Sequence, residues 1–227
     1  MQQLTLGVRL RERATFSSFV DATNPLAVAR LQALQSVPGV VWLWGAAGTG
    51  KSHLLQAVCA AAPAAQPVLY LPLREWAETA VALLEGAGQL DILCLDDLES
   101  VMGDPHFERA LFSTYRLLEE RGASLVISAD RPPAAFRWQL LDIGSRLGAS
   151  EVFQLQLLDE AGQCAVLQRH AGERGLDLPQ DTARYLCLRL PRDLPRLIDA
   201  LDRIDEASLS AQRRLTIPFM REVLGEP

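Results

Sequence analysis

Lysine is nearly absent from this sequence. Of 22 Lys and Arg residues only Lys51 is a lysine, so a chain that uses arginine everywhere else kept the compact ammonium at one place. A planar guanidinium is a poor replacement where a point charge must sit among phosphate oxygens, which makes that place informative. Basic clusters are absent too. With a net charge of −6 and a pI near 5.1, the chain offers no stripe for a sequence-independent grip on nucleic-acid phosphates, and a protein partner is favoured over bare DNA. Cysteine is sparse: Cys59, Cys94, Cys164 and Cys187 lie far apart in apolar runs without a C-x-x-C pair, and read as free buried thiols of a reducing compartment. No apolar run approaches the length of a membrane span, and the first residues lack the charged-then-apolar order of a signal peptide. A cytoplasmic location is therefore expected, and a membrane partner is not. Core material is plentiful: 49% of the 227 residues are hydrophobic, enough for one large domain or two modest ones.

The stretch Gly45-Ala-Ala-Gly-Thr-Gly-Lys-Ser52 matches G-x-x-x-x-G-K-[ST]. A β-branched and aromatic run, Val40 to Trp44, enters it, and an apolar helical pattern, His53 to Ala62, leaves it, which is the context a phosphate-binding loop requires. In such a loop the backbone around Gly48, Thr49 and Gly50 closes its N–H groups on a phosphate chain. The helix that starts near Lys51 turns its positive end to the anion, and the Ser52 hydroxyl serves Mg²⁺. A phosphate ligand with Mg²⁺ is expected.

Residues 1–14 read as an extended arm, of the kind that docks by burying alternate side chains in a partner's groove. Thr15-Phe16-Ser17-Ser18-Phe19-Val20 then leads to Asn24-Pro25, a cap and first-turn signal for a helix to about Gln35 that Val37-Pro38-Gly39 breaks. Beyond the phosphate loop, Val68 to Pro72 is a short buried strand, and Arg74 to Glu85 repeats apolar positions at helical spacing. Asp91 to Asp96 is apolar on both faces, as a covered parallel strand should be, and ends in Asp96-Asp97. Carboxylates at the carboxyl end of a strand beside the phosphate-loop strand match the Walker B arrangement, with Asp96 holding the Mg²⁺ shell and Asp97 orienting a water.

Asp104-Pro105 caps a long helix that Gly122 stops, and Leu125 to Ala129 is a fourth strand ending in Asp130-Arg131-Pro132-Pro133. That strand is expected between the phosphate-loop and Walker B strands, so its end can sense a γ-phosphate. Asp130 is the first choice for that group and Ser128 the second, while Asp130 also suits a turn cap before the double proline. Arg146, at a helix end flanked by glycines, projects outward, either simply solvated or functional. Val152 to Leu155 is a fifth strand. From Asp159 the pattern is all helix, with segments at 159–174, 179–190, 192–207 and 218–224 and no repeat. Arg192 opens the third of these, and Arg196 competes with it for a phosphate contact. The expected architecture is an α/β domain at 15–158, built on a five-stranded parallel P-loop sheet, followed by a small all-helical lid domain at 159–227.

In order and spacing these segments resemble the AAA+ family, and within it the bacterial initiator group typified by DnaA. Thr15 to Val20 with Asn24 looks like that group's adenine-side box, which places Phe19 and Val20 at the base. Gly45 to Ser52, Asp96-Asp97, Ser128-Ala-Asp130-Arg131, Ser145-Arg146-Leu-Gly148 and Arg192-Asp-Leu look like its Walker A, Walker B, sensor 1, arginine finger and sensor 2 segments. The resemblance implies ADP or ATP with Mg²⁺, catalytic roles for Asp97, Asp130 and Arg146, and a nucleotide contact from Arg192. DnaA's helix-turn-helix reader and its N-terminal partner domain have no counterpart here, and the remainder is similar to the regulatory inactivators of DnaA. Their short arm carries a sliding-clamp motif of the form Gln-Leu-x-Leu, here Gln3-Leu4-Thr5-Leu6, and Ala211 to Phe219 also looks like their C-terminal end. Gly7-Val8 departs from the proline and bulkier apolar residue usual in that arm, a change that bears on clamp affinity.

The resemblance thus implies a regulator of replication initiation with two protein partners, DnaA and the DNA polymerase III sliding clamp. Gln3, Leu4 and Leu6 hold the clamp, DNA is reached only through it, and Arg146 acts in trans on ATP held by DnaA. A homodimer that buries the arm or Arg146 is an off state compatible with this reading. The alternative is a free-standing AAA+ ATPase such as a helicase loader, because Lys51, Ser52, Asp96 and Asp97 leave nothing missing for weak intrinsic hydrolysis. A truncated initiator that polymerises on DNA is a third reading.

Overall fold

The computed structural model describes residues 14–20, 23–189, 194–211 and 216–224. The chain forms two compact units, one ending at Gln156 and the other beginning at Leu157. In the first, helices and strands alternate: α1 (Pro25–Gln32), β1 (Val40–Trp44), α2 (Lys51–Ala61), β2 (Val68–Pro72), α3 (Leu73–Trp76), α4 (Ala80–Gly86), β3 (Ile92–Asp96), α5 (Pro105–Arg121), β4 (Ser124–Ala129), α6 (Leu141–Gly148) and β5 (Glu151–Gln154). All five strands are parallel, in the order β2-β3-β4-β1-β5. The segments that follow β1, β3 and β4 therefore leave from one edge of three adjacent strands, the place where open α/β sheets bind ligands.

Helices cover both faces of the sheet, which is why the central strands are apolar throughout rather than alternating with polar residues. Side chains one residue apart still point to opposite faces. Trp42, Leu93, Leu95, Leu125 and Ile127 pack with Leu84, Leu111 and Ile143 of α4, α5 and α6, while Val41, Leu43, Ile92, Cys94 and Val126 pack with Leu31, Leu54 and Leu55 of α1 and α2. Each such fully buried aliphatic side chain contributes about 1.5–3 kcal/mol relative to exposure.

Local sequence signals decide the ends of these elements, with two informative differences. The Asn24 side chain does not cap α1. Its amide instead clips the backbone beyond β5, with Nδ2 donating to Gln156 O at 3.2 Å and Oδ1 accepting Gln156 N–H at 2.9 Å, so it ties the start of the unit to its end. The helical pattern from Arg74 to Glu85 is interrupted between α3 and α4, where Thr79 turns its own N–H and hydroxyl back to Trp76 O. A threonine hydroxyl competing for a nearby carbonyl is a common way to stop a helix. At α5 the expectation and the structure coincide. Asp104 accepts His106 N–H at 2.8 Å, Pro105 fills the first turn, and Gly122 closes the helix at φ 66.

The second unit is helical: α7 (Glu160–Glu173), α8 (Gln180–Arg189), α9 (Leu194–Ala211) and α10 (Ile217–Leu224). Asp159 caps α7 by accepting Gly162 N–H at 2.8 Å, and Leu167, Leu186, Leu197, Leu201, Ile204 and Met220 form its core. All four cysteines are free and buried. Cys164 and Cys187 lie 3.4 Å apart across α7 and α8, and burial, with the neighbouring Cys164, pushes the Cys187 thiol up to about 12. A thiol raised in this way is a packing group rather than a nucleophile. Among the described residues no helix is long and apolar enough to cross a membrane.

Candidate nucleotide site

β1 ends at Trp44, and the chain turns through Gly45 to Gly50 into α2. A β-carbon at Gly45 would lie 2.6 Å from the Leu155 carbonyl oxygen, and one at Gly50, where φ is 91°, would lie 2.6 Å from the Phe19 ring. Glycine is required at both places for the loop to lie this close to its neighbours. Gly48 also takes positive φ, 82°. Thr49 is buried and its hydroxyl donates to Ala46 O at 2.9 Å, which closes the loop on itself. Lys51, the first residue of α2, is only 9% exposed, and its ammonium donates to Gly45 O at 2.7 Å and Ala46 O at 3.1 Å. The one lysine side chain thus lies folded over the loop, and half-buried Ser52 follows it in the same first helical turn, whose N–H groups have no intrahelical partner.

Thr15 to Val20 packs beside this loop. Phe19 lies over Gly50 and next to the His53 ring at 5.5 Å between centroids, and Val20 is half-buried after it. His53 Nε2 is 2.9 Å from Thr15 O. A carbonyl only accepts, so that nitrogen carries the proton, and the imidazole pins the segment to α2. Phe19 is therefore held against the phosphate loop by a helix residue next to Ser52.

The acidic side of the site lies at the ends of β3 and β4. Asp96 is 2% exposed, and each of its oxygens has a donor: Tyr70 Oη at 2.6 Å on Oδ2, and the Ser128 hydroxyl on Oδ1. Ser128 in turn accepts the Asp97 N–H at 3.0 Å. Burial first, then the Asp96 charge, raises the Tyr70 hydroxyl, which keeps it a donor. Asp97 is the one non-glycine residue at positive φ among those described, 56°, a conformation that costs of order 1–2 kcal/mol and places its carboxylate outside the strand. There it accepts from Arg74 Nε at 3.1 Å, while Arg74 also reaches Glu99 at 3.5 Å. Burial, with the charges of Asp97 and Asp130, pushes the Glu99 carboxyl above its usual range. The two sensor candidates separate here. Ser128 joins the Asp96 carboxylate to the Asp97 backbone N–H, whereas the Asp130 carboxylate makes a bidentate pair with Arg131, 2.7 Å at each oxygen, which holds it below the usual range. The Tyr70→Phe substitution keeps the packing and strips Asp96 of one donor. A loss of about 1.5–3 kcal/mol is expected in urea unfolding monitored by circular dichroism, and an unchanged midpoint would show that Ser128 alone satisfies the carboxylate.

Arg146 stands on α6 apart from these groups. Its partners all belong to α5: Nη1 donates to Glu119 at 3.0 and 3.3 Å, and the guanidinium lies 5.6 Å from the Tyr115 ring centre and 5.9 Å from that of Phe112. The side chain is 42% exposed. Gln3, Leu4, Leu6 and Arg192 lie outside the described residues. Tyr70, Arg74, Glu99 and Glu119 escaped the sequence reading. The first had a readable signal, a hydroxyl in an otherwise aliphatic strand that must find a partner when buried, and Arg74 had another, a cation just beyond the carboxyl end of β2.

A glycine-rich loop between β1 and α2, a buried carboxylate at the end of β3, and a polar β4 end between them define a P-loop nucleotide-binding domain of the AAA+ class. Residues 10–150 match the family model for the bacterial DnaA ATPase domain, and residues 159–224 match that for the Hda lid domain. The chain belongs to the bacterial DnaA ATPase-domain family, as an Hda-like, DnaA-related member of the AAA+ proteins. Domain III of the Thermotoga maritima replication initiation protein DnaA is similar over 96% of this chain and 98% of its own, with a TM-score of 0.83 and 22% identity. AMPPCP-bound DnaA from Aquifex aeolicus is similar over 86% of this chain and 66% of its own, with a TM-score of 0.74 and 22% identity. Thermotoga maritima RuvB follows with 96% and 73% coverage, a TM-score of 0.69 and 14% identity. At these identities the structural likeness speaks for the fold.

Proposed function

We propose that this chain is a nucleotide-binding regulator of replication initiation that drives hydrolysis of ATP held by DnaA. One observation carries the reading: Arg146, in the segment that resembles an arginine finger, is exposed and is held by α5 rather than by any phosphate-loop residue. A guanidinium so placed suits a phosphate on another molecule. In this reading Gly48, Thr49, Gly50 and Lys51 hold the phosphates of ADP or ATP, and Phe19 and Val20 line the base side. The AMPPCP in two similar DnaA structures supports an adenine nucleotide. The residues present also suit Mg²⁺, because Ser52 and Asp96 offer hard oxygen ligands beside a phosphate-binding loop. Among the described residues no group of three or more His, Cys, Asp or Glu side chains could hold a metal, so the ion would lean on nucleotide oxygens and water. When bound, it neutralises phosphate charge; the chain's own residues bind, orient and exclude water.

The Gln3-Leu4-Thr5-Leu6 arm docks on the sliding clamp in this reading, and DNA is reached through the clamp. The rival is an ATPase that acts alone, and one experiment separates the two. Conversion of DnaA-bound ATP is followed with the full chain, with a chain lacking residues 1–8, and with DnaA omitted, each with clamp loaded on DNA. Stimulation that needs both DnaA and the arm is expected. Turnover of free ATP at the same rate without DnaA would establish the self-sufficient enzyme, and stimulation that survives loss of the arm would remove the clamp motif from the account.

A further inference from the structure

Four residues of α5, Glu108, Phe112, Tyr115 and Glu119, repeat at the 3.6-residue period of a helix and so share one face. All four engage α6 or its approach. Glu108 is fully buried and accepts the Leu140 N–H at 2.8 Å, at the residue just before α6. The Phe112 and Tyr115 rings flank the Arg146 guanidinium one and two turns further on, and Glu119 accepts its Nη1. The Tyr115 hydroxyl also donates to Glu119 Oε1 at 3.3 Å, so the carboxylate that meets Arg146 is itself held.

We propose that this stripe is a mount that pre-orders Arg146, and that Glu119 is a positioning residue for the hydrolysis of a partner's ATP; the inference rests on the function proposed above. An arginine on a free surface samples many rotamers, and ordering one on docking costs side-chain entropy. Here much of that ordering is built in. Two aromatic rings fix the guanidinium. A carboxylate takes one terminal nitrogen, and the side chain remains two-fifths open to solvent for an acceptor from outside. The ion pair itself adds little stability, because both partners are exposed. Its effect is geometric: a group misplaced by about 1 Å can lose ~10²-fold in rate.

The test uses the full chain with DnaA, ATP and loaded clamp. Glu119→Leu removes the carboxylate from an exposed helix position, and circular dichroism should show the fold intact. Its maximal stimulated rate is expected to fall about tenfold to a hundredfold, while the chain concentration giving half-maximal stimulation stays within about twofold. Glu119→Gln, which keeps an acceptor but not the charge, should fall between. The nitrogen resonance that Arg146→Lys deletes should broaden or shift toward free-arginine values in Glu119→Leu without any partner. A rate equal to or above that of the unmodified chain, in a protein where Arg146→Ala still abolishes stimulation, would overturn the mount while leaving the finger in place. If Arg146→Ala is also without effect, it is the function proposed above that fails.

Discussion

Replacing Arg146 by alanine is expected to abolish stimulated hydrolysis of DnaA-bound ATP, by roughly 10³-fold to 10⁵-fold in single-turnover rate, the range known for arginines supplied in trans. Charge develops on the transferred phosphoryl oxygens, and a preorganised cation at that point lowers the barrier without reorganisation. The fold should barely respond. The ion pair with Glu119 is exposed on both sides and contributes at most about 1 kcal/mol, so thermal unfolding should stay close to that of the unmodified chain. Nucleotide bound in the chain's own loop should be unaffected, since no phosphate-loop residue is among the partners of Arg146. Arg146→Lys should recover little, because an ammonium lacks the planar fork that meets two oxygens at once. Persistence of stimulated hydrolysis in the alanine variant would assign the exposed guanidinium to simple solvation.

What could be read from the sequence follows from how far apart the interacting residues lie. The phosphate loop is one local stretch whose spacing is itself the geometry, and β1 and α2 stand where its flanks place them. The apolar strand that ends in two carboxylates was legible for the same reason. The contacts that complete the site, and those that hold Arg146 and the approach to α6, join residues distant in sequence: Tyr70 to Asp96 across 26 positions, Arg74 to Asp97 across 23, Arg146 to Glu119 across 27 and Glu108 to Leu140 across 32. No periodicity encodes such pairs, because they depend on strand order and helix packing. The partners of Asp130 and Ser128 were hidden by the same limit. Both lie at the end of β4, but only packing shows that the Ser128 hydroxyl bonds the Asp96 carboxylate and the Asp97 N–H while Asp130 pairs with the adjacent Arg131.

The geometry also orders the site into rigid and adjustable parts. Asp96 and Ser128 are buried within the sheet, and each Asp96 oxygen already holds one hydrogen bond, so they are fixed points. Asp97, strained and at the surface, is held by Arg74, which is itself largely exposed and shared with Glu99. A carboxylate restrained by an exposed cation can be released at small cost, whereas one bonded inside a sheet cannot.

Removing the ammonium of Lys51 is expected to weaken ADP or ATP binding by roughly 10²-fold to 10³-fold in a fluorescent-nucleotide titration. The figure follows from losing charge-assisted hydrogen bonds to phosphate of about 1.5–3 kcal/mol each, at about 1.4 kcal/mol per factor of ten. Lys51→Ala also removes the bonds to Gly45 O and Ala46 O that fold the side chain over the loop, so part of the loss reflects a less ordered cradle. Lys51→Arg should be nearly as poor, because a guanidinium is wider than the ammonium and the loop around it is closed by Thr49 and Gly45. The scarcity of lysine gives a check that needs no variant. An amine-selective reagent has only the α-amino group and Lys51 Nζ to modify. Modification at Lys51, read by mass spectrometry, should fall steeply as ADP is added while modification of the terminal amine stays constant. Equal protection of both amines, or of neither, would mean that the phosphates lie somewhere other than this loop, and the site would lose its ligand before any question of hydrolysis arose.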